Sequence, residues 1–170
     1  MDNDKIFNED ISEEQLSELI FNTFGEDKKN NKFKIIADEI AKRFQQYKEK
    51  ALIYLKDGQK LEELLLRAEA KLNKVPNVGD KLAYIPQLIL LIRSYAVKEY
   101  TDISLVEIVL IVAALIYFVS PLDIIPDGMP GGLGFLDDAI VAGIIVNFCK
   151  EDIKKYMDWL KKKHDTSTDL

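Results

Sequence analysis

Apolar residues recur with a period near 3.6 along most of this chain, and no stretch alternates long enough to read as a strand. Ser12-Glu13-Glu14-Gln15 reads as a capping box before a short helix that places Leu16, Leu19, Ile20 and Phe24 on one face, with Gly25 as its stop. From Lys32 to about Leu55, Phe33, Ile36, Ala37, Ile40, Phe44, Tyr47, Ala51 and Tyr54 define a long amphipathic helix that Asp57-Gly58 ends. Leu61, Leu64, Leu65, Ala68 and Leu72 mark the next helix, closed by Val75-Pro76-Asn77. A further helix spans about Gly79 to Tyr100, with Pro86 as a kink or as its true start.

The pattern then changes. From about Ile103 to Val119 the chain is apolar on every side apart from Glu107, with Asp102 or Ser104 as the candidate cap. A second apolar segment runs from Leu136 to Cys149, and a tail helix is expected beyond it. The two segments span roughly 25 Å and 21 Å at 1.5 Å per residue, which is marginal and short for a bilayer. The expected fold class is all-α: five or six helices bundled around a central hydrophobic helical hairpin. Residues 1–11 are expected as a disordered N-terminus, 12–100 as an amphipathic helical region, and 101–170 as the hairpin plus a C-terminal helix.

Between the apolar segments lies the only concentrated chemistry. Ser120-Pro121-Leu122-Asp123-Ile124-Ile125-Pro126-Asp127 leads into a Gly/Pro-rich run ending at Leu136-Asp137-Asp138. Four carboxylates and three prolines therefore share one turn, and no Lys, Arg or His occurs from Glu99 to Cys149. One reading is structural. Pro121 and Pro126 restrict the backbone, Gly134 permits a left-handed conformation, and Asp123 with Asp137 or Asp138 would cap helices. Another is a divalent-cation site: Asp123, Asp127, Asp137 and Asp138 offer hard oxygen ligands that suit Mg²⁺, Ca²⁺ or Mn²⁺, whereas zinc would want His or Cys. The spacing is not that of an EF-hand. Catalysis by these carboxylates is a third reading, short of any local base for an anionic substrate unless Arg93 or Lys98 supplies one. A fourth makes the turn a docking surface for a protein partner, with Phe135 and Met129 as anchors.

Tyr117-Phe118-Val119-Ser120-Pro121-Leu122-Asp123-Ile124-Ile125-Pro126-Asp127 resembles the Tyr-x-x-Ser-Pro-x-Asp-x-x-Pro-Asp signature of the YkvA-like family of small bacterial helical proteins, a domain of unknown function. Gly132 to Asp138 is similar to its Gly-x-x-Asp-Asp end, and Arg93-Ser94-Tyr95 and Tyr156-Met157-Asp158-Trp159 are similar to weaker flanking features. The resemblance covers roughly the chain from Asp57 onward; residues 1–56 fall outside it, and Gly131 is an addition that would lengthen the turn. It implies a membrane or membrane-associated protein and no settled activity.

Charge sharpens the membrane question. The net charge of −6 hides an acidic segment at 1–27 of net −8, a basic middle at 28–100 of net +7 and an acidic 101–149 of net −6. That balance excludes nucleic acid as an expected partner. Lys98 on one side of the hairpin, and Lys150, Lys154, Lys155 and Lys161 to Lys163 on the other, give the layout of a hairpin with both ends in the cytoplasm. Met157, Trp159 and Leu160 would seat the tail at a headgroup surface, unless the tail is an ordinary solvated helix. No secretory leader is read at the N-terminus. Cys149, the single cysteine, reads as a buried inert thiol, and the single His164 leaves no basis for histidine chemistry.

The expectation is a non-enzymatic, membrane-associated or membrane-proximal protein whose acidic turn is a candidate cation site. Its expected partners are membrane lipid, a protein or a second copy. A soluble interaction module whose hairpin is its core is the alternative, and a metal-dependent enzyme the remote one.

Overall fold

A computed structural model describes residues 12–24, 31–75, 82–120 and 136–168. The first helix, α1, is Glu13–Phe24, α2 is Asn31–Lys56 and α3 is Gly58–Asn73. A 3-10 turn at Leu82–Tyr84 leads into α4, Ile85–Ala96; α5 is Leu105–Val119 and α6 is Leu136–Thr168. The described residues hold helices and turns and no strand, so the fold is all-α.

Local sequence sets the boundaries. Ser12 Oγ accepts from the Gln15 N–H at 3.2 Å while Gln15 Oε1 accepts from the Ser12 N–H at 2.9 Å, which completes the expected box before α1. Asp57, in extended conformation, accepts from the Gln59 and Lys60 N–H groups and caps α3, so α2 and α3 are parted by one residue. Pro86 lies in the first turn of α4, where a missing N–H costs nothing; it marks the start of the helix rather than a kink. The helix also ends earlier than the expected Tyr100. The Lys98 N–H bonds the Tyr95 carbonyl and the Glu99 N–H bonds the Ser94 carbonyl, with Lys98 left-handed at φ 60°. That is a Schellman closure with lysine at the position usually held by glycine.

Helix α5 organises the bundle. Every residue from Ile108 to Phe118 is buried, none more than 8% exposed. It packs against α2, α3, α4 and α6, while α1 covers α2 and touches α6. Its partners supply one face each: Ala37, Ile40, Ala41, Phe44 and Ala51 from α2, Leu61, Leu64, Leu65 and Ala68 from α3, Leu88, Ile89 and Ile92 from α4, and Cys149, Ile153 and Tyr156 from α6. The alanines of α2 and Ala113 and Ala114 of α5 suit close approach of these two helices, whose contact is the broadest in the fold.

One expectation changes. The second apolar segment and the tail form a single helix of 33 residues, about 50 Å long, and not two elements. No glycine or proline lies between Ile144 and Thr168, so nothing in the backbone stops the helix where composition turns from apolar to charged. Asp137 and Asp138 fall in its first turn by their backbone, inside the helix and not at its cap. No described helix is long and apolar enough to cross a membrane.

Leu115 is fully buried at the centre of this packing. Leu115→Ala is expected to cost about 2–5 kcal/mol of unfolding free energy. The same change at Leu66, 53% exposed on α3, should cost no more than about 0.5 kcal/mol. Urea denaturation of the two variants checks the contrast.

Candidate functional site

The first residue of the Ser-Pro motif, Ser120, is tied to α2. Tyr47 Oη and Ser120 Oγ are 2.7 Å apart, and the Tyr47 ring meets the Tyr117 ring edge-on at 5.9 Å. The Ser120 N–H donates to the Tyr117 carbonyl, and Ser120 turns extended at φ −61°, ψ 133°, as a residue before proline must. Two cations stand close by: Lys71 lies 5.0 Å from the Phe118 ring centroid and Lys50 lies 5.2 Å from that of Tyr47. Ser120 is the one predicted turn residue among the described ones. Pro121, Asp123, Pro126, Asp127 and Gly134 lie outside the described residues; Asp137 and Asp138 are placed by their backbone, in the first turn of α6. Among the described residues no group of three or more His, Cys, Asp or Glu forms a metal-binding cluster.

At the opposite end of α5 the structure assembles polar chemistry that sequence spacing does not show. Ser104 caps the helix, rather than Asp102, through a complete capping box. Ser104 Oγ accepts from the Glu107 N–H at 3.2 Å and Glu107 Oε2 accepts from the Ser104 N–H at 3.1 Å. The same Glu107 shares a hydrogen bond with Asp152 of α6. That hydrogen bond, followed by burial, pushes the Asp152 carboxyl up to about 6. Burial alone would raise Glu107 as well, but hydrogen bonds from Asp152 and Ser104 outweigh it and leave Glu107 below the ordinary carboxylate value. Below about pH 6 the pair therefore shares one proton, Asp152 being the raised carboxyl and Glu107 the lowered one. Lys155, 3.9 Å from Asp152, and Asp102 and Tyr100 complete the surroundings. Burial, and then these two carboxylates, push the Cys149 thiol up to about 12, which makes it an inert thiol as expected.

Two flanking segments singled out in the sequence meet in space. Ser94 Oγ and Tyr156 Oη are 2.8 Å apart, tying α4 to α6. Tyr156 also stacks on Trp159 at 5.8 Å, and Tyr100 packs on both rings. Arg93, the candidate base for an anionic substrate, is already engaged: it donates to Glu69 at 2.6 Å and to Glu62 at 2.8 Å, bonds that raise its pKa further and lock α4 to α3. Its role is a structural ion-pair link between α4 and α3.

These features define a class: a helical bundle built on a buried helix, apolar but for Glu107, that runs into a Ser-Pro-x-Asp-x-x-Pro-Asp motif. Residues 107–144 match the family described as Protein of unknown function (DUF1232). The chain is also 36% identical, over 78 residues, to the "Uncharacterized membrane protein YkvA" of Bacillus subtilis (strain 168), a match covering 46% of this chain and 73% of that protein. The chain belongs to this YkvA-like family. No solved structure matches it. The family match starts at Glu107 and contains the whole acidic turn, whereas Asp152 lies beyond it.

Asp152 binds its proton more tightly folded than unfolded. The stability it contributes is therefore complete below its ordinary 3.8 and lost as pH rises through about 6. Glu107 works in the opposite sense, contributing above its ordinary 4.5 and losing that share on acidification. Asp152→Asn keeps a donor for Glu107 without the second charge. Its melting temperature should exceed that of the wild type at pH 8, by a few degrees (~1–4 °C), with the gain disappearing at pH 5. Thermal melts at both pH values read this directly; an equal shift at both would mean that the pair does not share a proton.

Proposed function

We propose that this protein is a non-enzymatic helical module held peripherally at the membrane, with cytoplasmic termini and an acidic turn that takes a divalent cation. The burial of α5 carries the reading. The apolar surface that would face lipid in a spanning hairpin is instead covered by α2, α3, α4 and α6. Membrane contact then falls to surface groups. Exposed Ile35 and Ile53 on α2 lie among Lys42, Lys50 and Lys56, and the exposed tail of α6 carries Lys161, Lys162 and Lys163. Near an anionic surface each lysine contributes about 1 kcal/mol. The relative in Bacillus subtilis is described as a membrane protein, which agrees with this placement.

The cation reading rests on Asp123, Asp127, Asp137 and Asp138, acids that repel one another across a turn with no base of its own. Mg²⁺, Ca²⁺ or Mn²⁺ would relieve that repulsion. A second reading, a soluble interaction module whose hairpin is simply its core, is supported by the same burial of α5.

Fractionation of expressing cells separates these. The peripheral reading expects protein in the low-salt membrane pellet and its release by alkaline carbonate. Retention through carbonate would mean that the hairpin leaves the bundle for lipid; recovery in the supernatant at low salt would favour the soluble module. Calorimetric titration with Mg²⁺, Ca²⁺ and Mn²⁺ should give saturable binding to at least one, lost in Asp127→Asn with Asp138→Asn. No heat with any of the three, or unchanged binding in the double variant, would remove the cation site.

A further inference from the structure

A second site lies away from the acidic turn, where α2, α3, α4 and the strap before α5 converge. A groove of about 600 Å³ opens there, within the range of small-molecule sites. Its apolar wall is Leu52 and Leu55 of α2, Leu61 of α3, and Ile103 and Leu105. Two further lining residues are the exposed lysines Lys56 and Lys98, and no carboxylate lines it. Both lysines belong to the basic segment 28–100, of net +7.

Among the described residues neither Lys56 nor Lys98 forms an ion pair, while the carboxylates beside them in sequence are occupied: Asp57 caps α3 and Glu99 holds Lys163 at 2.9 Å. Lys98 also occupies the left-handed position of the closure after α4, where glycine would relieve roughly 1 kcal/mol or more of backbone strain. A strained backbone at a groove wall, carrying an unpaired cation, points to a ligand. Tyr95 and Thr101 line the same groove and offer hydroxyl donors.

We infer that this groove binds a single-chain anionic amphiphile, a long-chain carboxylate, with its alkyl chain along Leu52, Leu55, Leu61 and Leu105 and its head between Lys56 and Lys98. The charge complementarity selects an anion, and the apolar wall selects a chain. This goes beyond membrane attachment and does not depend on the acidic turn.

The test is calorimetric titration of the full chain with dodecanoate below its micelle concentration, beside decanoate and dodecyltrimethylammonium. The expected result is saturable one-to-one binding of dodecanoate, about tenfold weaker binding of decanoate from the loss of two methylenes, and no comparable binding of the cation. Lys98→Gly suits the αL backbone, so its melting temperature should hold or rise while dodecanoate affinity falls at least fivefold, more so with Lys56→Gln added. Gly58 also lines the groove, and a Cβ there meets nothing within 4 Å, so Gly58→Leu should fold and block the site. Absence of saturable binding overturns the assignment. So does undiminished affinity in the folded Lys98→Gly, Lys56→Gln variant, equal binding of the cationic amphiphile, or binding confined to phosphatidylglycerol vesicles with none to monomeric dodecanoate.

Discussion

Helix α5 has no polar face, and the arrangement around it follows from that constraint. A helix apolar on every side gains nothing from a surface position, since each exposed Leu, Ile or Val forfeits about 1.5–3 kcal/mol of burial. The helices α2, α3, α4 and α6 each turn an apolar stripe toward it and a charged face to water, so their amphipathicity is complementary to its uniformity. The cross-ties that fix their order are polar and peripheral. Arg93 joins α4 to α3, Ser94 and Tyr156 join α4 to α6, and Ser17 of α1 bonds Asp38 of α2.

A buried helix must still satisfy the backbone groups at its ends, and the N-terminus of α5 is specialised for that. At the N-terminus, Ser104 and Glu107 close a reciprocal box, and the charge of Glu107 favours the positive end of the helix dipole. Glu107 is also the one acidic interruption of the apolar segment. Asp152 gives it a hydrogen-bonding partner in place of water, which together with Ser104 holds Glu107 below the ordinary carboxylate value despite its burial. At the C-terminus the tether is Tyr47 to Ser120, so the direction in which the chain leaves for the Pro/Gly turn is set from α2, far away in sequence.

This division explains what the chain revealed on reading. The start of α1 and the junction of α2 with α3 were legible because Ser12 and Asp57 act on amides two or three positions away. The continuity of α6 was not. A switch from apolar to charged residues at Cys149-Lys150 marks a change of surroundings, and helix propensity is indifferent to it. The Glu107–Asp152 pair, the Tyr47–Ser120 tether and the groove between Lys56 and Lys98 depend on which helix faces which, and nothing local encodes that. Ser94 and Tyr156 had one prior signal: both lie in segments similar to flanking features of the family, and the structure gives the physical reason in a hydrogen bond across 62 residues of sequence.

The membrane character named for the Bacillus subtilis relative meets a conservation of surface. The apolar face of α5 can be covered by protein or by lipid, but not by both at once. At 15 residues, about 22 Å, α5 is shorter than the roughly 20 residues that cross a bilayer. Moving it into lipid would also strip α2, α3 and α4 of the partner that buries their own stripes. Ala41, Ile40, Leu64, Leu65, Ile89 and Ile92 would then be exposed, unless those helices repacked on one another or followed α5 into the headgroup region. Lipid solvates α5 as well as protein does, so the transfer gains little at that helix and loses the burial of its neighbours. The balance favours the closed bundle over a hairpin transferred into lipid.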